Sequence, residues 1–440
     1  MNEREHISVD VVVVGAGVAG LACAVRLARA GYSVRVVEAE SGPGGRARTD
    51  WHEGRPVDRG FQVAFSAYPA FRAFVREIGI PAEDLRPFAG GAAFFDGAHW
   101  AQLSSSPKSI TRFGALSPAD RARFVRLAAE VRFVSPRTLL ARDGAAPTTE
   151  AFLLGRGFSP QAIEAVFRPL FGVIFLDRTL AADPGYFQFL FSMLVRGPAV
   201  LPADGLGMVA DWAAGAVRQA GGNFEFGSRV AALVREADGP ATGVRLEDLR
   251  QIHARAVVLA VDPPSARKLL SPVDPDTAGR IPIEGASVTS ARFALDHSLY
   301  RGRVILLNAE RDAETSPRID LLCQTTNVNR HGAVGGPHVV IAMSVGDSDA
   351  AAEGIEDAVE RQVHRWYPGF PWGKVAQSLG VVRHPFAQFR PLSGVRLGLP
   401  GPRTQVPNVI LAGECTTHPS LEGAVASGVT AAEIIGRQLG

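Results

Sequence analysis

The sequence predicts an α/β fold with two domains, and three observations lead to this prediction. A strand, a glycine-rich turn and a helix follow one another at residues 9–30, and a strand and a helix close the chain at residues 408–440. Between these ends the pattern changes from helical to strand-like. A chain of 440 residues is also too long for one simple core. We therefore expect one domain built from both ends and a second domain inserted between them.

The N-terminal stretch has the order of a dinucleotide-binding unit. Residues 9–14 form a short apolar run that is typical of a buried strand, and GxGxxG follows directly. Gly15 provides the tight turn, Gly17 lets the backbone approach phosphates, and Gly20 lets the next helix pack on the strand. That helix is predicted over residues 21–30, and free N–H groups at its start would face an anion, with Val18 and Ala19 among the cofactor contacts.

Glu38 ends the second predicted strand, residues 33–37, and Ala39 follows it. The spacing is that of a carboxylate that accepts hydrogen bonds from ribose hydroxyls, and an acid there favours an unphosphorylated adenosine ribose. These residues predict a Rossmann-type nucleotide domain, but they do not separate NAD from FAD. The alternative is a chance glycine loop in an ordinary α/β protein.

A second glycine turn, GPGGRART at residues 42–49, follows the ribose carboxylate and carries two arginines. Here the chain resembles the FAD-dependent amine oxidase and carotenoid desaturase superfamily, in which a Gly-Gly-Arg segment follows the first βαβ unit. The resemblance implies bound FAD, with Gly45 and Arg46 near its pyrophosphate. The alternative for this turn is a solvated basic loop.

The stretch VDRGFQVAF, residues 57–65, is similar to one in plant and cyanobacterial-type phytoene and zeta-carotene desaturases. There an acid, a glycine and a polar residue lie near the flavin, so the resemblance implies contacts from Gly60 and Phe61. Gln62 stands where those enzymes usually have histidine, which would alter the substrate or the proton chemistry. The alternative is a strand and helix that only pack.

The C-terminal stretch carries the same resemblance. A predicted strand ends in Gly413 and Glu414, and SLEGAVASG at residues 420–428 begins the last helix. A helix N-terminus aimed at the flavin would stabilise negative charge on the ring when hydride reaches N5. The resemblance implies that Glu414 contacts the ribityl chain, and the alternative is a strand and helix that merely close a sheet. The remaining implied cofactor contacts are Leu421, Glu422, Ala424 and, at the adenine, Val230.

These segments give the expected domain boundaries. Residues 1–60, 201–262 and 403–440 form the predicted FAD-binding domain, and residues 61–200 and 263–402 form the substrate domain, with a helical part and a sheet part. We expect helices at 117–134, 148–154, 160–170 and 184–195, strands at 287–295, 304–308, 321–326 and 339–344, and a helix at 350–367. Apolar runs at 169–176 and 186–191 either line a cavity, lie at a membrane surface to admit a lipid-soluble substrate, or form core.

Two other glycine motifs predict no second nucleotide cofactor. Residues 205–210 fit GxGxxA, but Pro202 interrupts the approach and we expect no buried strand before it. The run HGAVGG at residues 331–336 is followed by proline and by no predicted helix. We therefore expect FAD alone.

Composition limits the partners. A net charge of +2 argues against nucleic acid, and the widely spaced Cys23, Cys323 and Cys415 argue against disulfides and a metal site. Cys415 follows Glu414 at the wrong end of the ring for a covalent flavin link, so we expect non-covalent FAD. Residues 1–8 lack the apolar core of a secretory signal, and no apolar run is long enough to span a membrane. We expect a cytoplasmic protein, with peripheral membrane contact left open.

The favoured activity is hydride transfer from a hydrophobic substrate, isoprenoid or polyene, to flavin N5. Polar candidates near the flavin face are Gln62, Arg390 and His418, with structural hydrogen bonding as the alternative for each. An amine oxidase is disfavoured by Ser420, where amine oxidases carry an aromatic residue, and by the absence of lysine from residues 287–295. A protoporphyrinogen-oxidase-like enzyme is a further alternative. A non-redox isomerase is also open, whereas a non-enzymatic prenyl carrier is disfavoured because the flavin motifs are complete.

Overall fold

The computed structural model describes residues 7–104, 107–142, 146–235, 239–310, 317–329, 336–346 and 354–440. Residues 331–335 of the HGAVGG run lie outside the described residues, as does the beginning of the helix expected at 350–367.

The described strands and helices come largely in runs, with consecutive helices between residues 107 and 196 and several groups of consecutive strands. The strands are β1 (Ile7–Val14), β2 (Val34–Val37), β3 (Thr49–His52), β4 (Arg55–Asp58), β5 (Ala64–Phe65), β6 (Leu85–Pro87), β7 (Gly91–Phe95), β8 (Trp100–Leu103), β9 (Ala199–Pro202), β10 (Asn223–Glu225), β11 (Val230–Arg235), β12 (Ala241–Leu246), β13 (Gln251–Leu259), β14 (Gly285–Leu295), β15 (Val304–Asn308), β16 (Leu321–Gln324), β17 (His338–Val345), β18 (Ala376–Phe389) and β19 (Val409–Leu411). The α-helices span Val18–Arg29, Pro69–Glu77, Pro107–Arg112, Pro118–Phe133, Pro136–Ala141, Thr149–Gly155, Pro160–Ala162, Arg168–Phe175, Pro184–Arg196, Gly207–Gln219, Pro263–Leu270, Pro275–Arg280, Ile355–Trp366, Trp372–Val375 and Leu421–Leu439.

The first sheet joins both ends of the chain. Seven of the described strands form it in the order β10-β2-β1-β13-β12-β11, with β19 also paired to β13. β1 runs parallel to β2 and β13, and Val14, Leu259 and Leu411 end neighbouring parallel strands in register. The centre of β1 is fully buried because apolar clusters cover both faces of the sheet. The ends of these strands therefore share one edge, where ligands bind in parallel sheets.

Two helices from opposite ends of the chain cover one face of this sheet. A Cβ on Gly428 of the C-terminal helix would lie 2.1 Å from the Ala19 carbonyl oxygen, so the helix Leu421–Leu439 approaches the helix Val18–Arg29 more closely than a side chain would allow. This contact fixes the C-terminal segment beside the glycine-rich turn.

The second sheet corrects two expectations. Its order is β18-β14-β17-β16-β15-β7-β8, antiparallel except for the β7–β15 pair. β7 and β8 come from residues 61–200, where we expected mainly helices, so both insertions contribute to one sheet. β18, an edge strand, was not predicted. The exact domain boundaries stay a prediction.

The four helices predicted between residues 117 and 195 are present, and the helices Pro107–Arg112 and Pro136–Ala141 were not predicted. The helix expected at residues 160–170 continues through a π-helical turn, Ile163–Phe167, to Phe175. The apolar runs at 169–176 and 186–191 meet here, for example where Phe171 and Phe187 pack edge to face with ring centroids 4.7 Å apart. Both rings are fully buried, so these aromatics form core.

The reason given against a second nucleotide site was wrong. A buried strand does precede residues 205–210, because β9 ends at Pro202 and lies between β5 and β6 in a small antiparallel sheet. That sheet is separate from the parallel sheet of β1.

None of the helices in the described ranges combines the length and the apolar character needed to cross a membrane.

Candidate functional site

The turn after β1 has the geometry that a phosphate requires. A Cβ on Gly20 would lie 2.0 Å from the Gly15 carbonyl oxygen, whereas a Cβ on Gly17 would meet nothing within 4 Å. Gly20 is therefore set by helix packing, and Gly17 faces open space. Gly17 precedes the helix beginning at Val18, whose first turn has no side-chain cap and no acidic residue. The N–H groups of Val18 and Ala19 are thus placed to meet an anion.

Glu38 lies against this turn. Its carboxylate accepts hydrogen bonds from the Ala16 N–H at 2.7 Å and from the Glu40 N–H at 2.9 Å, so the chain bends around it and past Ala39. The Ser228 N–H donates to the Glu38 carbonyl at 2.9 Å, and two residues later Val230 begins β11. The structure thus places the predicted ribose and adenine residues on one side of the turn; the contacts themselves stay a prediction.

The second glycine turn folds back onto the first. The Gly44 N–H donates to the Ala16 carbonyl at 2.9 Å, and a Cβ on Gly45 would lie 3.6 Å from the Gly17 Cα. This return brings Arg46 to the edge of the parallel sheet.

Arg46 and Glu414, although far apart in sequence, form the central ion pair of the site. Arg46 Nη1 donates to Glu414 Oε1 at 2.6 Å and to the Ala387 carbonyl at 2.6 Å, and Gln62 Nε2 donates to the Arg46 carbonyl at 3.1 Å. Burial raises the pKa of Glu414, and the Arg46 charge acts in the opposite direction. One cluster therefore joins the N-terminal turn, the first insertion, β18 and the C-terminal strand.

The start of the C-terminal helix is held by its own side chains. Ser420 Oγ accepts from the Gly423 N–H at 3.0 Å, and the Gly413 N–H donates to Ser427 Oγ at 2.7 Å. Glu422 accepts from the Ala70 and Phe71 N–H groups, each at 2.9 Å, and so caps the helix Pro69–Glu77. Leu421 and Ala424 are half-buried, and their flavin contacts, like that of Glu422, stay predictions.

The three polar candidates have protein partners. Gln62 holds the Arg46 carbonyl, and Arg390 Nη2 pairs with Asp177 Oδ2 at 3.5 Å. Burial, reinforced by Arg396, lowers the pKa of His418 to about 3. Its Nδ1 lies 3.0 Å from Ser420 Oγ.

His418 belongs to an uncharged wall beside the C-terminal helix. Its ring lies 4.8 Å from the Phe189 ring and 5.8 Å from the Tyr186 ring, centroid to centroid. The Tyr186 hydroxyl donates to the Pro419 carbonyl at 2.5 Å. A neutral His418 leaves this wall without charge at physiological pH.

The sequence did not reveal Ser290 and His384, which meet at Gly60. A Cβ on Gly60 would lie 3.6 Å from both Ser290 Oγ and His384 Nε2. Both atoms are buried, and neither has a hydrogen-bond partner within the described chain. Nothing in the sequence pattern marked them, because the side chains converge only through the pairing of β14 with β18. Gly60 and the adjacent, buried Phe61 thus lie against the second sheet.

Asp58 is a second buried group that the sequence did not single out. Thr49 Oγ1 donates to its carboxylate, and the Leu206 N–H donates to it at 2.9 Å. Burial raises the Asp58 pKa to about 6. This carboxyl group connects the β3–β4 hairpin to the start of the helix Gly207–Gln219.

A dinucleotide fits the strand edge. At this edge Gly17 faces open space, the helix that follows starts without a side-chain cap, and Glu38 provides a carboxylate. Arg46 lies beside them. The thiols of Cys23, Cys323 and Cys415 are free and buried, and in the described ranges no three metal-binding side chains are grouped.

The sequence model of the flavin containing amine oxidoreductases matches residues 18–436. The chain belongs to this family. Membership implies a flavin cofactor and confirms the superfamily that the sequence motifs indicated.

Relatives of this flavin oxidoreductase include two bacterial desaturases. The chain is 28% identical to the hydroxyneurosporene desaturase of Cereibacter sphaeroides over 282 residues, covering 58% of this chain and 56% of the relative. It is 29% identical to the zeta-carotene-forming phytoene desaturase of Myxococcus xanthus over 294 residues, covering 60% and 55%. The match thus spans about half the length of these relatives.

Solved structures confirm the α/β fold with two domains. An oxidoreductase from Methanosarcina mazei superposes with a TM-score of 0.77 at 18% identity, over 96% of this chain and all of that one. Cyclohexylamine oxidase from Brevibacterium oxydans gives a TM-score of 0.70 at 18% identity, over 98% and 99%. At these identities the likeness concerns the fold.

Proposed function

We propose that the protein is an FAD-dependent, desaturase-like oxidoreductase that removes hydride from a C–H bond of a hydrophobic isoprenoid or polyene. The observation that carries this proposal is the uncharged wall of Tyr186, Phe189 and neutral His418 at the start of the C-terminal helix. Such a wall suits an apolar substrate better than a protonated amine, because burying a charge without a partner is costly. The two desaturase relatives support the same choice.

The residues at the strand edge would hold FAD without a covalent bond. Gly17 and the helix start would receive the pyrophosphate, Glu38 the ribose, and the Arg46–Glu414 pair the region beyond. Burial raises the Cys415 pKa to about 12, so its thiol stays protonated and is a poor nucleophile for a flavin link. When bound, the flavin supplies a two-electron acceptor; the protein positions the substrate and excludes water.

Anaerobic single-turnover reduction tests the activity. FAD-loaded protein is mixed with phytoene in detergent or with cyclohexylamine, and the loss of oxidised-flavin absorbance is followed. We expect reduction by the polyene and not by the amine. Reduction by the amine alone would replace the proposal with an amine oxidase, and polyene isomerisation without lasting reduction would indicate an isomerase.

We also propose peripheral contact with an anionic lipid surface through the helix Pro118–Phe133. Phe133 is 88% exposed and Val125 is 49% exposed, and the exposed Arg126 and Arg132 lie on the same helix. Between residues 107 and 142 there are eight lysines and arginines against two carboxylates, although the whole chain carries only +2. Exposed apolar side chains beside basic ones favour the interface of anionic membranes.

Vesicle flotation tests this contact. Wild-type protein should float with vesicles of phosphatidylglycerol and phosphatidylcholine, and Phe133→Glu should lose most of that binding. Leu249→Glu is the matched control, since Leu249 is 70% exposed in the turn between β12 and β13. Equal flotation of both variants with wild type would contradict the proposal.

A further inference from the structure

A cavity of about 110 Å³ lies where the first insertion meets the second sheet. The helix Arg168–Phe175 forms one wall, and the end of β15 and the approach to β16 form the other. Three arginines and three carboxylate residues line it, beside the apolar Pro169, Val173 and Ala309. None of the residues assigned above to the flavin or to the substrate lines this cavity, so it is a separate feature of the protein.

The accessible charges in the cavity are mainly positive. The side chains of Arg178 and Arg318 are 39% and 22% exposed. The carboxylates of Glu310 and Asp320 are almost fully buried, at 4% and 8%. A ligand that entered the cavity would therefore meet guanidinium groups rather than these two carboxylates.

Two of the three carboxylates already have cations of their own. Arg168 Nε donates to both oxygens of Glu164, at 2.8 and 2.9 Å, and its Nη2 donates to Glu150 at 2.5 Å. Glu310 is paired with Arg365. Only Asp320 is then left to balance Arg178 and Arg318.

Arg178 and Arg318 share that single carboxylate unequally. Arg178 Nε and Nη2 donate to the two oxygens of Asp320 at 2.7 and 2.5 Å. Arg318 donates to two backbone carbonyls at 3.0 and 3.1 Å, and its Nε, although 3.3 Å from Asp320 Oδ1, has no hydrogen-bond partner among the described residues. Burial lowers the pKa of Arg318, and the Arg178 charge adds to this effect while Asp320 opposes it. One positive charge on this wall therefore lacks a full counter-charge.

Two unusual backbone features bring these side chains together. A π-helical turn, Ile163–Phe167, precedes Arg168, and Leu176 ends the helix in the left-handed region with φ 53°. The chain then folds back on the helix, so that a Cβ on Gly172 would lie 3.5 Å from Arg178 Cα, and Arg168 Nη1 donates to the Arg178 carbonyl at 2.6 Å. Both features cost conformational energy and are frequent at functional sites.

We propose that this cavity binds a small oxyanion, a phosphate or a carboxylate group, between Arg178 and Arg318. The anion would supply the missing counter-charge, and guanidinium groups match the geometry of both kinds of oxyanion. The volume equals that of about four water molecules, which suits an ion the size of phosphate or a short dicarboxylate. This site is independent of the flavin site and of the activity proposed above.

Calorimetric titration of FAD-loaded protein with inorganic phosphate and, separately, with malonate tests the site. FAD must be bound first, because the helix start at Val18 is itself placed to meet an anion. We expect one anion per chain at low ionic strength and at least about 10-fold weaker binding in Arg178→Gln, since a charge-assisted contact is lost. The anion that binds more tightly identifies the ligand as a phosphate or a carboxylate.

Arg123→Gln is the matched control for Arg178→Gln. Arg123 is 40% exposed and pairs with the buried Asp120 at 3.2 Å, so it has a similar setting away from the cavity. It should bind the anion as wild type does. Absence of binding for both anions, or equal affinities in the two variants, would overturn the proposal.

A second pair of variants removes the effect of altered packing. Val173→Glu would place a carboxylate in the cavity, and Val173→Gln would place a neutral side chain of the same size there. We expect the Glu variant to melt at a higher temperature than the Gln variant and to bind no added phosphate. Val173 lies near the C-terminus of its helix, which disfavours a carboxylate, so a gain must come from the cavity arginines. Equal melting temperatures, or phosphate binding by the Glu variant as tight as in wild type, would contradict the assignment.

Discussion

At the edge of the first sheet a Cβ on Gly17 would meet only open space, whereas on the face of the second sheet Ser290 is completely buried with its hydroxyl unpaired. The first region presents backbone N–H groups at the end of one strand. The second presents side chains that two distant strands bring together. The comparison shows that a site built from backbone N–H groups depends on which positions lack a side chain. A site built from side chains depends instead on strand register.

The largest effect should come from a substitution at Gly20, the glycine in the turn after β1 whose position is set by helix packing. Gly20→Ala places a methyl group 2.0 Å from a backbone oxygen that cannot move freely, so we expect a loss of stability above about 4 kcal/mol. Gly17→Ala should melt within a few degrees of wild type but retain no FAD, since the methyl would occupy the phosphate space. Circular dichroism melting and flavin absorbance measure both. Equal destabilisation by the two changes would refute the distinction.

A smaller effect should follow from breaking the ion pair that joins the N-terminal glycine turns to the C-terminal segment after β19. Arg46→Met leaves the buried Glu414 carboxylate without its cation, at a cost of about 3 kcal/mol in unfolding free energy. Adding Glu414→Gln should recover part of that loss, because no unpaired charge then remains. Urea unfolding of both single variants and the double variant gives the coupling. Additive losses would show that the pair contributes little.

A pH dependence of the unfolding free energy, of similar or smaller size, should identify contacts that connect the two regions. Arg292 Nη1 of β14 contacts Asp50 Oδ2 of β3 at 2.9 Å, and Asp58 ties the same hairpin to the start of the helix Gly207–Gln219. Burial raises the Asp58 pKa from 3.8 to about 6, so the folded protein binds this proton more tightly than the unfolded chain does.

The contribution of Asp58 to stability is therefore greatest below pH 3.8, falls as the pH rises to about 6 and is constant above. The total change is about 3 kcal/mol. Asp58→Asn should remove this dependence, so the stability difference between variant and wild type should grow in favour of the variant between about pH 4 and 6, as measured by urea unfolding. A difference that is flat with pH would show that Asp58 titrates normally.

The sequence predicted the backbone region well because its determinants are consecutive. Strand, Gly15, Gly17, Gly20 and helix fall within one short stretch, and each residue type has a local reason. The ion pair was not predicted: the superfamily resemblance placed Arg46 near the pyrophosphate and Glu414 near the ribityl chain, and spacing does not relate the two residues.

The side-chain region escaped prediction because β18 does not look like a strand. Gly380 and Pro385 interrupt its apolar pattern, and register shifts break its pairing with β14. Proline is tolerated there because β18 lies at the edge of the sheet. His384 adjoins that proline, so its meeting with Ser290 depends on a pairing that the sequence did not reveal. The β7–β8 hairpin was missed because its strands are short.

The 368 residues that separate Arg46 from Glu414 set an order on biosynthesis. Translation at about 5–20 residues per second leaves roughly 20–70 s between the appearance of the two partners at the ribosome. Throughout that interval the nascent nucleotide turn lacks the strand and helix that complete its pocket. Cofactor capture is therefore late relative to synthesis of the N-terminal turn, and free FAD supplied at that stage would aid folding by binding only chains in which both partners are in place.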